Sequence, residues 1–137
     1  MGVALRVFEV RKAEEIGPAL EIIKQWPANA AVVLDDSALI ALRAPLAEQA
    51  LQRRIPLVCG FREMVQAGCL FSYSANLAVA WRRMANYVDK ILKGAKAGDL
   101  PVEQPTHFEL VINLKTAKTL GLAIPPALYA RADEVIQ

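Results

Sequence analysis

The chain has 137 residues, of which 55% are hydrophobic and 22% are charged, and its formal net charge is +2. This composition is typical of a soluble globular protein with one core, and the small net charge does not indicate a polyanionic partner such as nucleic acid. No apolar run reaches the roughly 20 residues of a membrane span. Cys59, Cys69 and the single histidine, His107, lack the spacing of metal ligands, so no metal or cofactor is expected. The two cysteines could form a disulfide, but two packed thiols are the favoured interpretation.

The N-terminal part of the chain predicts a strand followed by a helix. The segment ALRVFEV at 4–10 is rich in the β-branched and aromatic residues of strands. Residues 13–26 carry the apolar spacing of a helix. Gly17-Pro18 interrupts that spacing, so the regular helix is predicted to begin at Pro18, where a proline in the first turn is tolerated.

The next part of the chain predicts two buried strands with a helix between them. The near-continuous apolar run at 30–34 has the length and composition of a strand that is buried on both faces, as in parallel sheets. Residues 37–54 predict a helix that is bent or broken at Pro45. Residues 55–61 predict the second buried strand.

Beyond this point a short amphipathic turn at 62–67 leads to a predicted strand at 69–74. The longest predicted helix covers 75–93, and Gly94 supplies its stop signal. A turn-rich segment at 95–106 is expected to cross the surface.

The C-terminal part predicts a strand at 108–112, a short helix at 113–120 and a helical segment opened by Ile124-Pro125-Pro126. Strands that alternate with helices favour a parallel sheet with helices on both faces. The sequence therefore predicts one α/β domain over 1–137, a three-layer doubly wound fold with a mostly parallel sheet.

In such a fold, ligands bind beyond the carboxyl ends of the strands. Polar or aromatic residues follow three predicted strands, and we take most of them as candidate ligand-binding residues. The candidates are Asp35, Asp36, Phe61, Arg62, Glu63, Ser72, Tyr73, Ser74 and Asn76.

These residues also have structural interpretations. Asp36 or Ser37 is expected to cap the following helix, and Asn76 or Ser74 the long helix. Capping uses one side chain, so Asp35 remains as a candidate for function. Arg62 and Glu63 could pair with each other or with neighbours at the rim.

Catalysis is not indicated by the sequence. Adjacent carboxylates do not have the separation of a glycosidase pair, and no nucleophile elbow, P-loop or dinucleotide-binding glycine motif is present. His107 lies in a proline-flanked loop, and neither cysteine has a histidine placed to activate it. We therefore predict that the protein is not an enzyme.

The segments GFREMVQAGCLFSYS at 60–74 and YVDKILKGAKAGDLPVEQPTHFELVINLKTAKTLGLAIPP at 87–126 resemble the ABC transporter substrate-binding protein family of the type I periplasmic-binding fold. The similarity extends from Val7 to the C-terminus and is greatest to the branch that includes binders of tryptophan and tyrosine. Members have two α/β lobes joined by a hinge and deliver a small organic ligand to a membrane permease. This chain looks like the C-terminal lobe alone.

The resemblance also implies roles for particular residues. Asp35 matches an acidic residue of the family at a strand end, and Asp36 falls where some members have Asn; polar residues there face the cleft between the lobes and can meet a ligand amine. The corners at 60–63 and 72–74 match cleft-facing loops. Ser74 stands where Gly is common, and Asn76 where some members have Asp.

A single lobe offers half of the contacts to a ligand, so weak or no binding is expected from the chain alone, and its exposed apolar surface favours a homodimer. The resemblance implies a periplasmic location, whereas no signal-peptide pattern is visible in the printed N-terminus, which leaves a cytoplasmic location open. A cytoplasmic small-molecule sensor or regulatory module of the same fold is the alternative function, although no helix-turn-helix pattern precedes Val3.

Overall fold

The computed structural model describes residues 2–26 and 28–137. The chain divides into two compact units. The larger unit comprises the residues up to Tyr73 together with Leu110–Gln137, and the smaller unit is Ser74–Glu109. The sequence predicts a single domain, and the smaller unit is the long connection between two strands of the sheet.

The architecture is α/β, and five strands of the described residues form one sheet in the order β1-β2-β3-β4-β5. The strands are β1 (Ala31–Val33), β2 (Leu57–Cys59), β3 (Phe71–Ala75), β4 (Phe108–Asn113) and β5 (Glu134–Ile136). The helices are α1 (Ala13–Gln25), α2 (Ser37–Ala41), α3 (Arg43–Gln52), α4 (Arg62–Ala67), α5 (Leu77–Leu92), α6 (Leu114–Leu120) and α7 (Pro126–Tyr129). The pairs β1–β2, β2–β3 and β4–β5 are parallel, so the predicted fold class is confirmed.

The core of the larger unit lies between the sheet and the helices α1, α3 and α4. The spacing of apolar residues at three and four positions places one face of each helix inward, and α3 contacts both α1 and α4. The core side chains include Ile16, Leu20, Leu46, Ala47, Ala50, Leu57, Cys59, Met64, Val65, Cys69 and Val111. Burial of each large apolar side chain contributes about 1.5–3 kcal/mol, so this cluster is the main source of stability.

Two buried polar side chains of the larger unit, Asn113 and Thr116, bind α6 to the C-terminal end of α4. Asn113 caps α6 by accepting a hydrogen bond from the Thr116 amide at 2.9 Å, and its Nδ2 donates to the Val65 carbonyl at 3.0 Å. The Thr116 hydroxyl donates to the Gly68 carbonyl at 3.0 Å. These bonds satisfy side chains that would otherwise be costly to bury.

The strand predicted at 4–10 is not formed, and this prediction was wrong. Residues 2–11 are irregular, and their apolar side chains Val3, Leu5 and Val7 are exposed. A strand needs a neighbouring strand for its backbone hydrogen bonds, and in the described residues this segment has none. Sequence composition alone does not reveal that absence.

Three other boundaries differ from the predictions. Helix α1 begins at Ala13, with Pro18 inside it, because a single proline removes one backbone hydrogen bond without ending a well-packed helix. The helix predicted at 37–54 is broken, but the break falls at Leu42 and not at Pro45, because Pro45 is accommodated in the first turn of α3. Strand β5, Glu134–Ile136, was not predicted.

The smaller unit consists of α5 and the segment that follows it. Asn76 caps α5 through its Oδ1, which accepts from the Val79 amide at 3.0 Å, and Gly94 has a φ of +99° just after the helix. The Tyr87 hydroxyl donates to the Pro101 carbonyl at 2.6 Å. Within residues 2–26 and 28–137, no helix combines the length and the hydrophobicity needed to cross a membrane.

Candidate carboxylate site at the strand ends

The register of the first three strands brings their carboxyl ends to one edge of the sheet. Val33 is paired with Cys59, and Cys59 is paired with Ser72. Because these strands are parallel, the residues that follow Val33 and Cys59 emerge on the same side. The predicted clusters at 35–36 and 60–63 therefore belong to one edge of the larger unit.

The two adjacent acids at the end of β1 have different environments. Asp36 caps α2, because its Oδ1 accepts hydrogen bonds from the amides of Ala38 at 2.8 Å and Leu39 at 3.3 Å. The prediction that Asp36 or Ser37 is the cap is thus confirmed for Asp36. The Asp35 side chain is exposed and has no hydrogen bond or ion pair within the described part of the chain.

The Asp35 carboxylate lies directly against the backbone of Gly60, the first residue after β2. A Cβ atom built at Gly60 would lie less than 3.0 Å from all three atoms of the Asp35 carboxyl group, a separation that real Cβ atoms do not show. Gly60 does not have a positive φ, so the requirement for glycine here is space and not backbone conformation. Because Gly60 has no side chain, the Asp35 carboxylate has room to lie at the ends of the strands.

The Gly60 corner continues into α4. Phe61 is the N-cap residue of α4, with an extended backbone and a half-buried side chain. Arg62 pairs with Glu134 of β5 at 2.5 Å, so the predicted rim pairing is made with Glu134 and not with Glu63. Glu63 is exposed in the first turn of α4, where a negative charge is favoured by the helix dipole.

The candidates on β3 divide between the interior and the surface. Ser72 is 1% exposed, so its hydroxyl is part of the interior of the larger unit and is not available at a solvent-facing rim. Tyr73, the next residue, is exposed. Alternation along a strand explains why neighbouring residues differ in this way.

The last two candidates, Ser74 and Asn76, belong to the smaller unit. The Ser74 hydroxyl donates to the Ala75 carbonyl at 3.5 Å. Asn76 caps α5, as predicted for Asn76 or Ser74, and its Nδ2 also donates to Glu109 Oε1 at 2.5 Å. Both polar ends of the Asn76 side chain are therefore already engaged within the smaller unit.

The two cysteines are buried free thiols, as predicted. A hydrogen bond with the Cys69 thiol, together with burial, raises the pKa of Cys59 well above its ordinary value. A raised pKa disfavours the thiolate, which is the nucleophilic form of cysteine. Among residues 2–26 and 28–137 no group of three or more His, Cys, Asp or Glu side chains is arranged to hold a metal ion.

Two features of this edge were not anticipated from the sequence. Glu134 as the partner of Arg62 could not be anticipated because β5 was not predicted. The contact between Asp35 and Gly60 had a weak signal, namely a glycine directly after a buried strand, which often marks a close approach of another group to the backbone.

The sequence matches the family of ABC transporter substrate binding proteins over residues 1–136. The chain belongs to this family, whose members bind a substrate and are not classed as enzymes. A search of curated proteins gives no significant match.

Solved structures agree with this assignment. An ABC domain in complex with L-Trp from Streptococcus pneumoniae is 25% identical, with a TM-score of 0.89 over 98% of this chain and 45% of that chain. A conserved domain protein from Vibrio cholerae O1 biovar El Tor is 27% identical, with a TM-score of 0.82 over 90% of this chain and 42% of that chain. A ligand-free, open substrate binding protein with adhesive properties from Clostridium difficile has a TM-score of 0.67 at 18% identity and shares the fold. This chain thus spans less than half the length of each of these three structures.

Proposed function

We propose that the chain is the C-terminal lobe of the solute-binding component of an ABC importer, and that it binds a small amino-acid-like ligand at the carboxyl ends of β1 and β2. The observation that carries the proposal is the Asp35 carboxylate. It is exposed, has no hydrogen bond or ion pair among the described residues, and is held against Gly60 where the strands end. The L-Trp in the pneumococcal relative supports an amino acid as the class of ligand.

The chemistry of the edge fits such a ligand. A carboxylate that has no protein partner accepts hydrogen bonds from an ammonium group, and charge-assisted bonds of this kind are about twice as strong as neutral ones. Phe61 follows the end of β2, Tyr73 is an exposed residue of the neighbouring strand β3, and both rings offer apolar surface for a ligand side chain. Asp36 has a smaller part in this proposal because capping α2 already occupies its Oδ1.

The partners and location follow from family membership. We propose that a complete binding protein containing this lobe delivers its ligand to an ABC permease and acts in the periplasm. The chain by itself is proposed to form a homodimer, because it exposes many large apolar side chains and monomeric proteins rarely leave extended apolar patches uncovered. Light scattering at tens of micromolar should give twice the mass of the chain, and a monomer mass would contradict the homodimer.

Calorimetry tests the ligand class. The part of the pneumococcal L-Trp-binding chain that has no counterpart here would be joined to this chain, and the product would be titrated with a panel of amino acids. We expect heat of binding with an aromatic or aliphatic amino acid and its loss on Asp35→Asn. The matched control is Asp36→Asn, which removes the neighbouring charge but keeps a residue that caps helices well.

Two outcomes would contradict the proposal. No heat with any amino acid from a folded two-lobe protein would refute the ligand class. An equal loss of affinity in Asp35→Asn and Asp36→Asn would show that affinity depends on the total negative charge of the region. It would refute a direct contact between the ligand and the Asp35 carboxylate.

A further inference from the structure

The segments that follow β1 and β2 contain one positively charged side chain, and that charge is already paired. Arg62 is the only cation among residues 34–36 and 60–63. Its Nη2 lies 2.5 Å from Glu134 Oε2. Glu134 is the first residue of β5, so the fold brings this carboxylate to the start of α4 from a distant part of the chain.

Negative charges outnumber positive charges in the same two segments. Asp35 and Asp36 follow β1, and Glu63 follows β2. Because Glu134 compensates the charge of Arg62, these three carboxylates have no compensating cation within the two segments. Negative charges attract an ammonium group and repel a carboxylate. The ends of β1 and β2 therefore have the charge of a binding site for cations.

The backbone amides at the start of α2 are also engaged. Exposed amides at the N-terminus of a helix are a common binding site for anions. Here the amides of Ala38 and Leu39 donate to Asp36 Oδ1 at 2.8 and 3.3 Å. A ligand carboxylate would have to displace this cap before it could bind to α2.

The Arg62–Glu134 pair is partly shielded from solvent. Its side chains are 42% and 37% exposed, compared with 79% and 75% for the Arg11–Glu9 pair. Partial burial reduces the screening of a pair by salt, so Glu134 holds the guanidinium more firmly than a fully exposed partner would. A second carboxylate at the same guanidinium would also be repelled by Glu134.

We propose that Glu134 determines which group of a ligand the strand ends bind. By pairing with Arg62, it leaves Asp35 as the charge that the ligand meets, so the site binds a primary ammonium group and does not bind a carboxylate. The chain should therefore bind an amine more tightly than the corresponding amino acid. This inference rests on the proposed function, and it adds a positioning residue that acts through Arg62.

The test compares three compounds that share an indole ring: tryptamine has only the amine, indole-3-propionate only the carboxylate, and L-Trp has both. Shifts of the Gly60 amide in the ¹⁵N-labelled chain give the dissociation constants. The readout is the ratio of the L-Trp constant to the tryptamine constant, because a general loss of structure weakens both ligands alike. We expect a ratio of about three to five in the unsubstituted chain, as an exposed charge contact changes affinity by up to about fivefold.

Glu134→Gln releases the Arg62 guanidinium and preserves the size of the side chain. We expect the ratio to fall to about one or below, because the L-Trp carboxylate gains a contact with Arg62, and we expect indole-3-propionate to begin to bind. The matched control is Glu21→Gln, which breaks the Arg53–Glu21 pair at 2.7 Å. Arg53 lies between α3 and the start of β2, so its release adds no charge at the strand ends and should leave the ratio unchanged.

A double substitution tests whether the effect of Glu134 passes through Arg62. Adding Arg62→Gln to Glu134→Gln removes the released charge, and the preference for tryptamine should return. A purely structural role of Glu134 predicts no such recovery. Circular dichroism verifies that each variant is folded.

The remaining outcomes separate this inference from the proposed function. A ratio that is unchanged in Glu134→Gln, or that changes equally in Glu21→Gln, refutes the role of Glu134 and leaves the proposed function intact. So does tighter binding of L-Trp than of tryptamine by the unsubstituted chain. If none of the three compounds shifts the Gly60 amide, binding at the strand ends is contradicted, and both proposals fail together.

Discussion

The contact between Gly60 and Asp35 gives a prediction that separates binding from stability. Gly60→Ala would place a Cβ atom within 3.0 Å of all three atoms of the Asp35 carboxyl group, so one of the two must move. Asp35 is a short, exposed side chain without a hydrogen bond or ion pair among the described residues. We therefore expect the carboxylate to rotate away while the backbone stays in place.

The size of each effect can be worked out from this geometry. An alanine at a position without positive φ stabilises by about 0.4–1 kcal/mol through the unfolded state, and a displaced rotamer costs about 0.5–1.5 kcal/mol, so the net change in stability is close to zero. The loss of a hydrogen bond between a charged carboxylate and a ligand ammonium costs about 1.5–3 kcal/mol. That range corresponds to a roughly 10- to 100-fold weaker affinity.

The assay combines thermal unfolding with a nuclear magnetic resonance titration of the ¹⁵N-labelled chain with L-Trp. Gly98→Ala is the matched control, because a Cβ atom at Gly98 would have no heavy atom within 4 Å. In an Asp35→Asn background Gly60→Ala should cause little further loss of affinity, since the two changes act on one interaction. An affinity within twofold of the unsubstituted chain, or a loss of stability above about 3 kcal/mol, would refute the reasoning.

Three further predictions concern the surroundings of the site. Asp36→Ala removes the cap of α2 and should lower the free energy of unfolding by about 1 kcal/mol in urea, whereas Ser37→Ala should leave it nearly unchanged. Asn113→Ala deletes both the cap of α6 and the bond to the Val65 carbonyl, so a loss of about 2–4 kcal/mol is expected; a loss below 1 kcal/mol would show that water replaces both bonds. The thiols of Cys59 and Cys69 should not react with a disulfide reagent at pH 8 until the chain unfolds, because they are buried and the pKa of Cys59 is raised; rapid reaction of the folded chain would contradict their placement.

The sequence predicted the parts of the fold that depend on local pattern. The buried run that contains β1 and the short amphipathic segment that forms α4 were located within one or two residues, because their apolar patterns are encoded by adjacent residues. The assignment of Asp36 to the cap of α2 followed from the same local chemistry.

The sequence could not predict features that depend on a neighbour distant in the chain. Residues 4–10 have strand composition but no partner strand in the part of the chain that the structure describes, and β5 has little strand signal but is paired with β4. The closeness of Asp35 to Gly60 arises from the register of β1 on β2, which no residue of either strand specifies alone. The exposure of Leu77, Trp81 and Met84 on α5 could likewise not be predicted, since apolar residues at this spacing are equally typical of a core helix.

The most direct test of the central claim follows the Gly60 amide in the ¹⁵N spectrum of the chain during two titrations, one with L-Trp and one with indole-3-propionate, which has the same ring and carboxylate but no amine. If Asp35 binds a ligand ammonium beside Gly60, L-Trp should shift this amide with a dissociation constant on the order of millimolar, and Asp35→Asn should abolish the shift. The analogue without the amine should leave the amide unmoved. Equal shifts with both compounds, or shifts that survive Asp35→Asn, would contradict the account.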